Sequence, residues 1–405
     1  MLIQIAWRNV WRNKTRSLVI IIAVSLGLWG GIFSDAFMQG MAAQQIYSVI
    51  HTETGHIQLN QPGFLLNHDM QMQIKNADSM VTAIRNAPDV EGASAIIQLP
   101  AMASTASGSS GIMVNGIRPS DQEKVTDLST MLVEGQYFKS DRPSQVLIGQ
   151  QLADKLKVKL HSRIVLTLQT LSGDIIYGAF KVTGIFRTHD SEFDKQMIFV
   201  RNEDIQQLVG FPAKAASIIT VLLHHNDDTK KVAASLERQY HNMQVQTWIQ
   251  LSPMLQILSG TMMQFTLIFV GIILIALAFG IINTMLMAVM DRTREIGMLL
   301  SIGMKPSKVF EMIMLETIFL SLTGAVIGVG VSIASISFFG HHGINLSIIS
   351  EGFNAFGYSS IVYPTLGVNF YLLLALMVIL IALVAGLFPA RRAVRLKPAE
   401  AVRGD

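Results

Sequence analysis

The 405-residue sequence contains no cysteine, and it has few charged residues. The absence of cysteine excludes a disulfide framework and an acylated cysteine, so we expect neither a disulfide-stapled domain nor a lipoprotein. Only 15% of the residues are charged whereas 50% are hydrophobic, a balance typical of membrane proteins. Lys and Arg are missing altogether from residues 17–74, 239–291 and 309–390.

Four apolar runs are long enough to cross a bilayer, whose ~30 Å hydrocarbon core needs about 20 helical residues. They cover roughly residues 18–37, 265–289, 313–339 and 370–388. Basic residues precede the first run, separate the second from the third, and follow the fourth: Arg8, Arg12, Lys14 and Arg16; Arg292, Arg294, Lys305 and Lys308; Arg391, Arg392, Arg395, Lys397 and Arg403. Because basic residues that flank spans stay in the cytoplasm, the sequence predicts a multi-pass membrane protein with both termini cytoplasmic.

Residues 2–16 predict an interfacial helix that lies at the membrane surface. Trp7 and Trp11 are one turn apart, and so are Arg8 and Arg12, which suits the headgroup level and anionic phosphate. The order of basic and then apolar residues also fits a signal peptide. The apolar run is longer than that of a cleaved signal peptide, and no small-x-small cleavage site follows it closely. We therefore expect an uncleaved signal anchor.

The insert between the first two runs, residues 44–256, is expected outside the membrane as a folded α+β domain. Segments rich in Ile, Val, Thr and aromatics predict strands near residues 55–59, 93–99, 111–117, 164–170, 175–186, 197–200, 218–224 and 244–248. Helices are predicted near residues 78–86, 149–158, 202–209 and 227–241. The insert is large enough to bury its own core and to divide into two lobes. We interpret residues 105–111 as a flexible loop, and residues 38–49 as a helical stalk.

No arrangement of residues typical of a catalytic or cofactor site occurs in the sequence. The ten histidines have no familiar metal spacing, and GxSxG, HExxH and the ATP-binding GxxxxGK[ST] are missing. We interpret His189, Glu192 and Asp194 as a charged loop. No basic-aromatic face for nucleic acid is visible. The sequence therefore predicts a non-enzyme that binds no metal, no cofactor and no nucleic acid.

The short charged segment between the second and third runs, residues 291–307, predicts a helix. Met298, Leu299 and Ile302 share one face, and Glu295 lies a turn earlier on that side. Gly303 suits the position after a helix end, and Pro306 suits the start of the next helix. On this spacing alone, an ordinary cytoplasmic loop and a helix with a function both stay open.

The third apolar run contains one carboxylate and two closely spaced glycines that indicate how it packs. Glu316 lies in the third run, where a carboxylate costs a few kcal/mol unless it faces protein or water. We expect Glu316 to pack inside the bundle near Asn283, or else to lie at the hydrated inner boundary. Gly324 and Gly328 form a small-xxx-small pattern that predicts close helix packing.

Several motifs together resemble the FtsX-like permeases, the membrane subunits of MacB-type ABC transporters. Residues 283–303, NTMLMAVMDRTREIGMLLSIG, resemble the family signature. Residues 389–403 resemble its PAxxAxxxxPxxAxR ending, and residues 7–27 resemble its RNxxRNxxRS opening. Residues 146–153 and 182–188 are similar to its extracytoplasmic module. The resemblance covers the whole chain in order.

The resemblance implies that the charged segment is a coupling helix docking on a separate cytoplasmic ATPase. The residues assigned to this coupling helix are Arg292, Arg294, Glu295, Gly297, Met298, Leu299, Ile302 and Gly303. The tail with Arg391, Arg392 and Pro398 would lie along the inner membrane surface near the ATPase. ATP and Mg would be bound by the ATPase dimer alone. Two permeases, identical or different, would pair through their first two spans and transmit ATPase closure to their outer domains.

The resemblance also implies the domain layout of a MacB-like permease fold. It comprises an interfacial helix 1–17, first span and stalk 18–43, periplasmic domain 44–256, second span 262–290, coupling helix 291–306, third span 307–339, link 340–367, fourth span 368–389 and tail 390–405.

The length of the insert and the layout of the spans indicate which branch of the family this sequence resembles. Cell-division FtsX proteins have a smaller outer domain, so the large insert disfavours that branch. MacB has an ATPase fused before its first span, whereas this sequence starts shortly before its first span. The layout most resembles the lipoprotein-releasing LolC and LolE subunits, which work with a periplasmic carrier. A MacB-like efflux permease for drugs or peptides is the alternative. A membrane sensor of an extracytoplasmic ligand is an alternative from another class.

Overall fold

The computed structural model describes residues 2–138, 142–346 and 361–395. These residues form two compact units. The membrane unit is built from described residues 2–42, 259–345 and 361–395, and the inserted domain is built from described residues 43–138 and 142–258.

The helices are α1 (Leu2–Arg12), α2 (Lys14–Val49), α3 (Phe64–Asn67), α4 (Ala77–Arg85), α5 (Pro119–Gln122), α6 (Gln150–Leu156), α7 (Ser191–Gln196), α8 (Asn202–Val209), α9 (Thr229–Gln239), α10 (Trp248–Leu251), α11 (Pro253–Asp291), α12 (Thr293–Ser301), α13 (Pro306–His342) and α14 (Val368–Val394). A π-helical turn at Ile50–Thr54 follows α2, and a 3₁₀ turn at Asn226–Asp228 precedes α9.

The strands are β1 (Ile57–Asn60), β2 (Val90–Thr105), β3 (Gly108–Ile117), β4 (Leu132–Gly135), β5 (Gln145–Gly149), β6 (Arg163–Gln169), β7 (Ile175–Phe186), β8 (Met197–Arg201), β9 (Ile218–Leu223), β10 (Gln244–Thr247), β11 (Ile344–Asn345) and β12 (Ile361–Val362).

Helices α2, α11, α13 and α14 are each long and apolar enough to cross a membrane. A helix satisfies all its backbone hydrogen bonds internally, which is what an apolar segment in lipid requires. With a large domain inserted between the first and second of these helices, the predicted fold class is confirmed. The helix of the first span continues unbroken to Val49, as the predicted stalk requires.

Small residues bring α2 and α13 into backbone contact. A Cβ added at Gly324 would lie 2.7 Å from the Cβ of Val24, and one at Gly328 would lie 2.9 Å from the carbonyl oxygen of Ser25. The Ser25 hydroxyl donates to the carbonyl of Gly324 at 2.9 Å. The close approach therefore depends on the absence of side chains at these two glycines.

The α2–α11 contact carries a buried carboxylate. Asp35 of α2 is 4% exposed. One oxygen accepts a hydrogen bond from the Thr266 hydroxyl of α11, and the other accepts one from the Gln39 amide, each at 2.7 Å. Both carboxylate oxygens are thereby paired inside the helix bundle.

The inserted domain contains a closed barrel. The strand order is β10-β1-β9-β2-β3-β8-β5-β7-β4, and β6 pairs with both β2 and β7. Because β6 joins β7 back to β2, the strands β2, β3, β8, β5, β7 and β6 form a ring. On β6 the buried Ile164, Leu166 and Leu168 alternate with more exposed residues, so one face of the strand fills the barrel core.

A second lobe shares the long strand β2. The first part of β2 pairs with β9, and its last part pairs with β3. The apolar side of β1 and β9 packs against Val81 and Ile84 of α4 and against Val232 and Leu236 of α9. The insert therefore forms two lobes, as its length suggested.

The prediction of a flexible loop at residues 105–111 is wrong. Residues 108–111 are the start of β3, and Thr105 pairs with Gly108 across a tight β2–β3 hairpin. Likewise His189, Glu192 and Asp194 do not form a simple charged loop. Asp190 caps α7 by accepting hydrogen bonds from the amides of Glu192 and Phe193.

Candidate functional site

The charged segment folds into α12, which is shorter than predicted because it stops at a defined C-terminal motif. Gly303 has a φ of +95°, and its amide donates to the carbonyl of Leu300 at 3.1 Å. The amide of Met304 donates to the carbonyl of Leu299 at 3.0 Å. These paired bonds are a Schellman motif, which Gly at this position favours. Pro306 then occupies the first turn of α13.

The two faces of α12 differ in exposure. Ile296 and Gly297 are buried, and Leu299 is half-buried. Met298 is 52% exposed and Ile302 is 85% exposed. Exposed apolar side chains at one end of a short helix form a surface suited to a protein partner.

The N-terminal end of α12 is fixed by a buried ion pair. Nη1 of Arg292 lies 3.1 Å from each carboxylate oxygen of Glu316 on α13. The two side chains are only 11% and 8% exposed. Nη2 of Arg292 also donates to the backbone carbonyl of Asn9 on α1, at 3.4 Å. One guanidinium therefore joins the start of α12 to both α13 and α1.

A second ion pair joins α12 to α1 at the surface. The guanidinium of Arg12 contacts the carboxylate of Glu295. Their side chains are 52% and 50% exposed. Solvent screens such a pair, so it holds α12 far less firmly than the buried pair does.

Helix α1 is packed onto α13 rather than detached from the bundle. Ala6 and Val10 are fully buried. The ring of Trp7 meets Phe319 of α13 edge-on, with centroids 5.5 Å apart. The predicted interfacial helix thus ends at Arg12, and its inner side is part of the membrane unit.

A cavity of about 390 Å³ is lined by residues of α1, α11, α12 and α13. Its walls are mostly apolar and include Ile5, Met285 and Leu299. Both ion pairs lie among its lining residues. Helix α12 therefore borders a mostly apolar cavity, and the ion pairs of Arg12 and Arg292 form the polar part of its wall.

The structure changes the expected surroundings of two predicted residues. Glu316 is buried, but the partner it gains is Arg292, and Asn283 is exposed on α11. The expectation that Glu316 packs near Asn283 is corrected accordingly. Arg292 is turned into the bundle, whereas Arg294 is exposed on α12.

The remaining predicted positions lie elsewhere. Gly324 and Gly328 contact α2, as described above. Arg391 and Arg392 are exposed in the last turns of α14, which continues past Pro389 to Val394. Pro398 lies outside the described residues. Within the described ranges no group of three or more His, Asp or Glu side chains is placed to hold a metal ion.

The contribution of α1 to this site was missed from the sequence. Arg12 and Glu295 are 283 positions apart, and Arg292 reaches the backbone of Asn9 across a similar separation. The only available signal was the excess of basic residues on α1, which was attributed to membrane topology.

The four spanning helices, the inserted domain and the α12 segment define a multi-pass membrane protein of permease type. Residues 17–239 match the MacB-like periplasmic core domain, and residues 267–398 match the FtsX-like permease C-terminal domain. The chain belongs to the family of FtsX-like ABC transporter permeases with a MacB-like periplasmic core, which confirms the predicted resemblance.

Two relatives illustrate the similarity. The lipoprotein-releasing system transmembrane protein LolC of Xylella fastidiosa is 26% identical over 403 residues, covering 96% of this chain and 93% of that protein. The macrolide export ATP-binding/permease protein MacB of Pectobacterium atrosepticum is 31% identical over 126 residues, covering 31% of this chain and 17% of that protein. Among solved structures, the periplasmic region of MacB from Actinobacillus actinomycetemcomitans is 11% identical, with a TM-score of 0.35, over 53% of this chain and 98% of that one.

Proposed function

We propose that this chain is a non-catalytic permease subunit that transmits the movements of a separate cytoplasmic ATPase dimer to its inserted domain. One observation carries the proposal: α12 exposes Met298 and Ile302 while its start is fixed to α13 by the buried Arg292–Glu316 pair. A helix that is anchored at one end and apolar on its free side is suited to receive force from a partner.

The proposed path of force begins at α12. Arg292 is the sole residue between α11 and α12, and its ion pair ties this junction to α13. A displacement of α12 would therefore move α11 and α13 together. The spanning helices α2, α11, α13 and α14 are continuous, unlike the broken helices that form carrier sites. These features favour transmission of movement over passage of a substrate between the helices.

The proposed orientation places α12 and both chain ends in the cytoplasm. The basic residues around α1, α12 and the end of α14 support it, because such residues flank the cytoplasmic ends of spans. The inserted domain then lies on the periplasmic side of the inner membrane. A second permease, identical or different, would complete the assembly.

The proposed substrates are lipoproteins released from the inner membrane. The similarity to LolC extends over 96% of this chain, whereas the similarity to MacB covers 31%. Full-length similarity includes the inserted domain, where a periplasmic carrier would bind. Export of drugs or peptides is the competing role.

Co-purification tests the partner. We would isolate the chain from native membranes in mild detergent, as wild type and as Ile302→Glu, and identify the proteins that co-elute. Ile302 is preferable to Glu295 for this purpose, because Glu295 also contacts Arg12 within the chain. Leu66→Glu is the matched control, since Leu66 is equally exposed, at 85%, but lies in the inserted domain.

We expect an ATP-binding subunit to accompany the wild type and Leu66→Glu but not Ile302→Glu. Retention of that subunit by Ile302→Glu would show that α12 is not the docking element. ATP hydrolysis by the purified chain alone would contradict the proposed non-catalytic role.

A further inference from the structure

Helix α1 exposes an apolar stripe next to its buried face, and the ring of Trp7 in this stripe also contacts Phe319 of α13. Ile3, Trp7 and Trp11 follow one another at four-residue spacing and are 62%, 46% and 46% exposed. On the neighbouring side of the helix, Ala6 and Val10 are fully buried. Exposed Trp on an amphipathic helix is typical of a helix lying at the headgroup level of a bilayer.

The charges beside this stripe have one sign. Arg8, Arg12 and Lys14 are exposed, and the sequence contains no Asp or Glu before Asp35. A cationic surface with interleaved Trp is complementary to anionic phospholipid headgroups, which attract Lys and Arg near the membrane surface.

Arg12 belongs both to this cationic surface and to the α12 site. Its guanidinium contacts Glu295, and the two side chains are about half exposed. A phosphate offers a guanidinium the same bidentate geometry as a carboxylate. The Arg292–Glu316 pair is nearly buried and is closed to such an exchange.

We propose that α1 binds anionic phospholipid headgroups and that lipid phosphate competes with Glu295 for Arg12, so that the lipid composition of the leaflet sets how tightly α12 is held. The cavity of about 390 Å³ lined by α1, α11, α12 and α13 gives α12 room to shift once Glu295 is released. The effect on a docked ATPase rests on the proposed function, whereas the exchange at Arg12 does not.

The test uses the full chain without any partner. Because the sequence has no cysteine, Ile302→Cys provides a single attachment point for a spin label on the exposed end of α12. The labelled protein is placed in nanodiscs of phosphatidylcholine alone, or of phosphatidylcholine mixed with phosphatidylglycerol. Electron paramagnetic resonance spectra then report the mobility of the label.

We expect the mobile fraction of the spectrum to rise when phosphatidylglycerol is present. In Arg12→Gln the label should be mobile in both lipids, and its dependence on phosphatidylglycerol should be lost. Glu295→Gln breaks the same pair from the other side and should give the same result. Arg8→Gln is the matched control: it removes an equal charge from α1, keeps the Arg12–Glu295 pair, and should retain the response.

Equal spectra in the two lipids for the otherwise unaltered chain would overturn the proposal. So would an unchanged lipid response in both Arg12→Gln and Glu295→Gln. No ATPase is present in these samples, so their outcome is separate from the co-purification result. If lipid does not displace Glu295 from Arg12, the proposed docking role of α12 is unaffected. If no ATP-binding subunit co-purifies, the proposed lipid exchange at Arg12 is unaffected.

Discussion

Arg292 and Glu316 show how one residue pair can determine the position of a helix. A carboxylate removed from water carries a penalty of several kcal/mol unless it is paired with good geometry. Glu316 meets this requirement through two contacts of 3.1 Å with one guanidinium nitrogen of Arg292. The pair fixes the junction between α11 and α12, so its loss should affect both stability and the placement of α12.

We predict that Arg292→Ala and Glu316→Ala each lower the free energy of unfolding by about 3–5 kcal/mol, because each leaves a buried charge without its partner. The double variant should cost clearly less than the sum of the two single variants. Thermal or denaturant unfolding of the purified chain measures this. Arg294→Ala, at an exposed position on α12, is the control and should stay within about 0.5 kcal/mol of the wild type. Strict additivity of the two single effects would contradict the proposed coupling between the side chains.

His56 is a buried titratable group of the inserted domain. It is 4% exposed, and its Nδ1 accepts a hydrogen bond from the amide of Leu223 on β9, at 3.1 Å. Burial, together with the nearby His51, lowers the pKa of His56 from 6.5 to about 4. Because the folded pKa lies below the unfolded one, the stabilisation is complete above pH 6.5 and is lost as the pH falls towards 4.

Asp194 acts in the opposite direction in the barrel lobe. Burial is the main cause that raises the pKa of Asp194 from 3.8 to about 6, although Thr188 donates hydrogen bonds to its carboxylate. Its folded pKa lies above the unfolded one, so its stabilisation is complete below pH 3.8 and is lost as the pH rises through 6. The two groups therefore oppose each other between pH 4 and 6.

We predict that hydrogen exchange of β1 and β9, corrected for intrinsic rates, increases as the pH falls from 6.5 to 4. Exchange around α7 should increase as the pH rises through the same interval. His56→Gln should weaken the first trend, because the neighbouring His51, whose pKa burial also lowers, stays in place, and should leave the second trend unchanged. His241→Gln, at an exposed position, should change neither trend. Mass spectrometry of peptides from each lobe separates the two trends. A β9 response of unchanged size in His56→Gln would assign the effect to another group.

At the residue scale the sequence indicated which positions are unusual but not what they contact. A carboxylate in an apolar run identified Glu316 as a residue that needs a partner. The partner itself depends on how helices cross: Arg292 lies 24 positions away, and Arg12 lies 283 positions from Glu295. Such pairs are products of tertiary packing, which no local pattern encodes.

At the scale of elements, close packing of α2 against α13 depends on two glycines. We predict that Gly324→Leu forces these helices apart, because even a Cβ there would lie 2.7 Å from the Cβ of Val24. Gly330→Leu is the control on the same helix, since a Cβ at Gly330 meets nothing within 4 Å. Thermal unfolding of the two variants in detergent should show a large loss of stability for the first and a small change for the second. Equal losses would contradict the packing explanation, because a Cβ at Gly330 meets no neighbour and helix propensity favours Leu over Gly at both positions.

Element boundaries were predictable where local chemistry determines them. Gly303 and Pro306 define the end of α12 and the start of α13, and both are visible in the sequence. Both strands of the β2–β3 hairpin were predicted, but their extension to the tight turn was missed because β3 begins with Gly and Ser, which disfavour strands. Pairing with the long β2 overrides that preference. Strands β4 and β5 were not predicted either, since short segments carry little periodicity.

At the scale of the whole molecule, the number of spans followed from length and hydropathy alone. Closure of the barrel did not, because β6 pairs not only with β7, the next strand in the sequence, but also with the distant segment Met102–Ser104 of β2. The two lobes joined by β2, and the membrane unit with α1 and α12, are the parts through which the proposed movement would act.

Photo-crosslinking from Ile302 in intact cells tests the central claim most directly, since this side chain is 85% exposed and has no role in fixing α12 to the bundle. A photoreactive residue would replace Ile302, with a second strain carrying it at Leu66 in the inserted domain as the control. The account predicts that the residue at 302 forms a crosslink to an ATP-binding subunit and that the residue at 66 does not. Crosslinks from 302 to lipid alone, or an ATP-binding subunit captured from 66, would contradict the assignment of α12 as the coupling element.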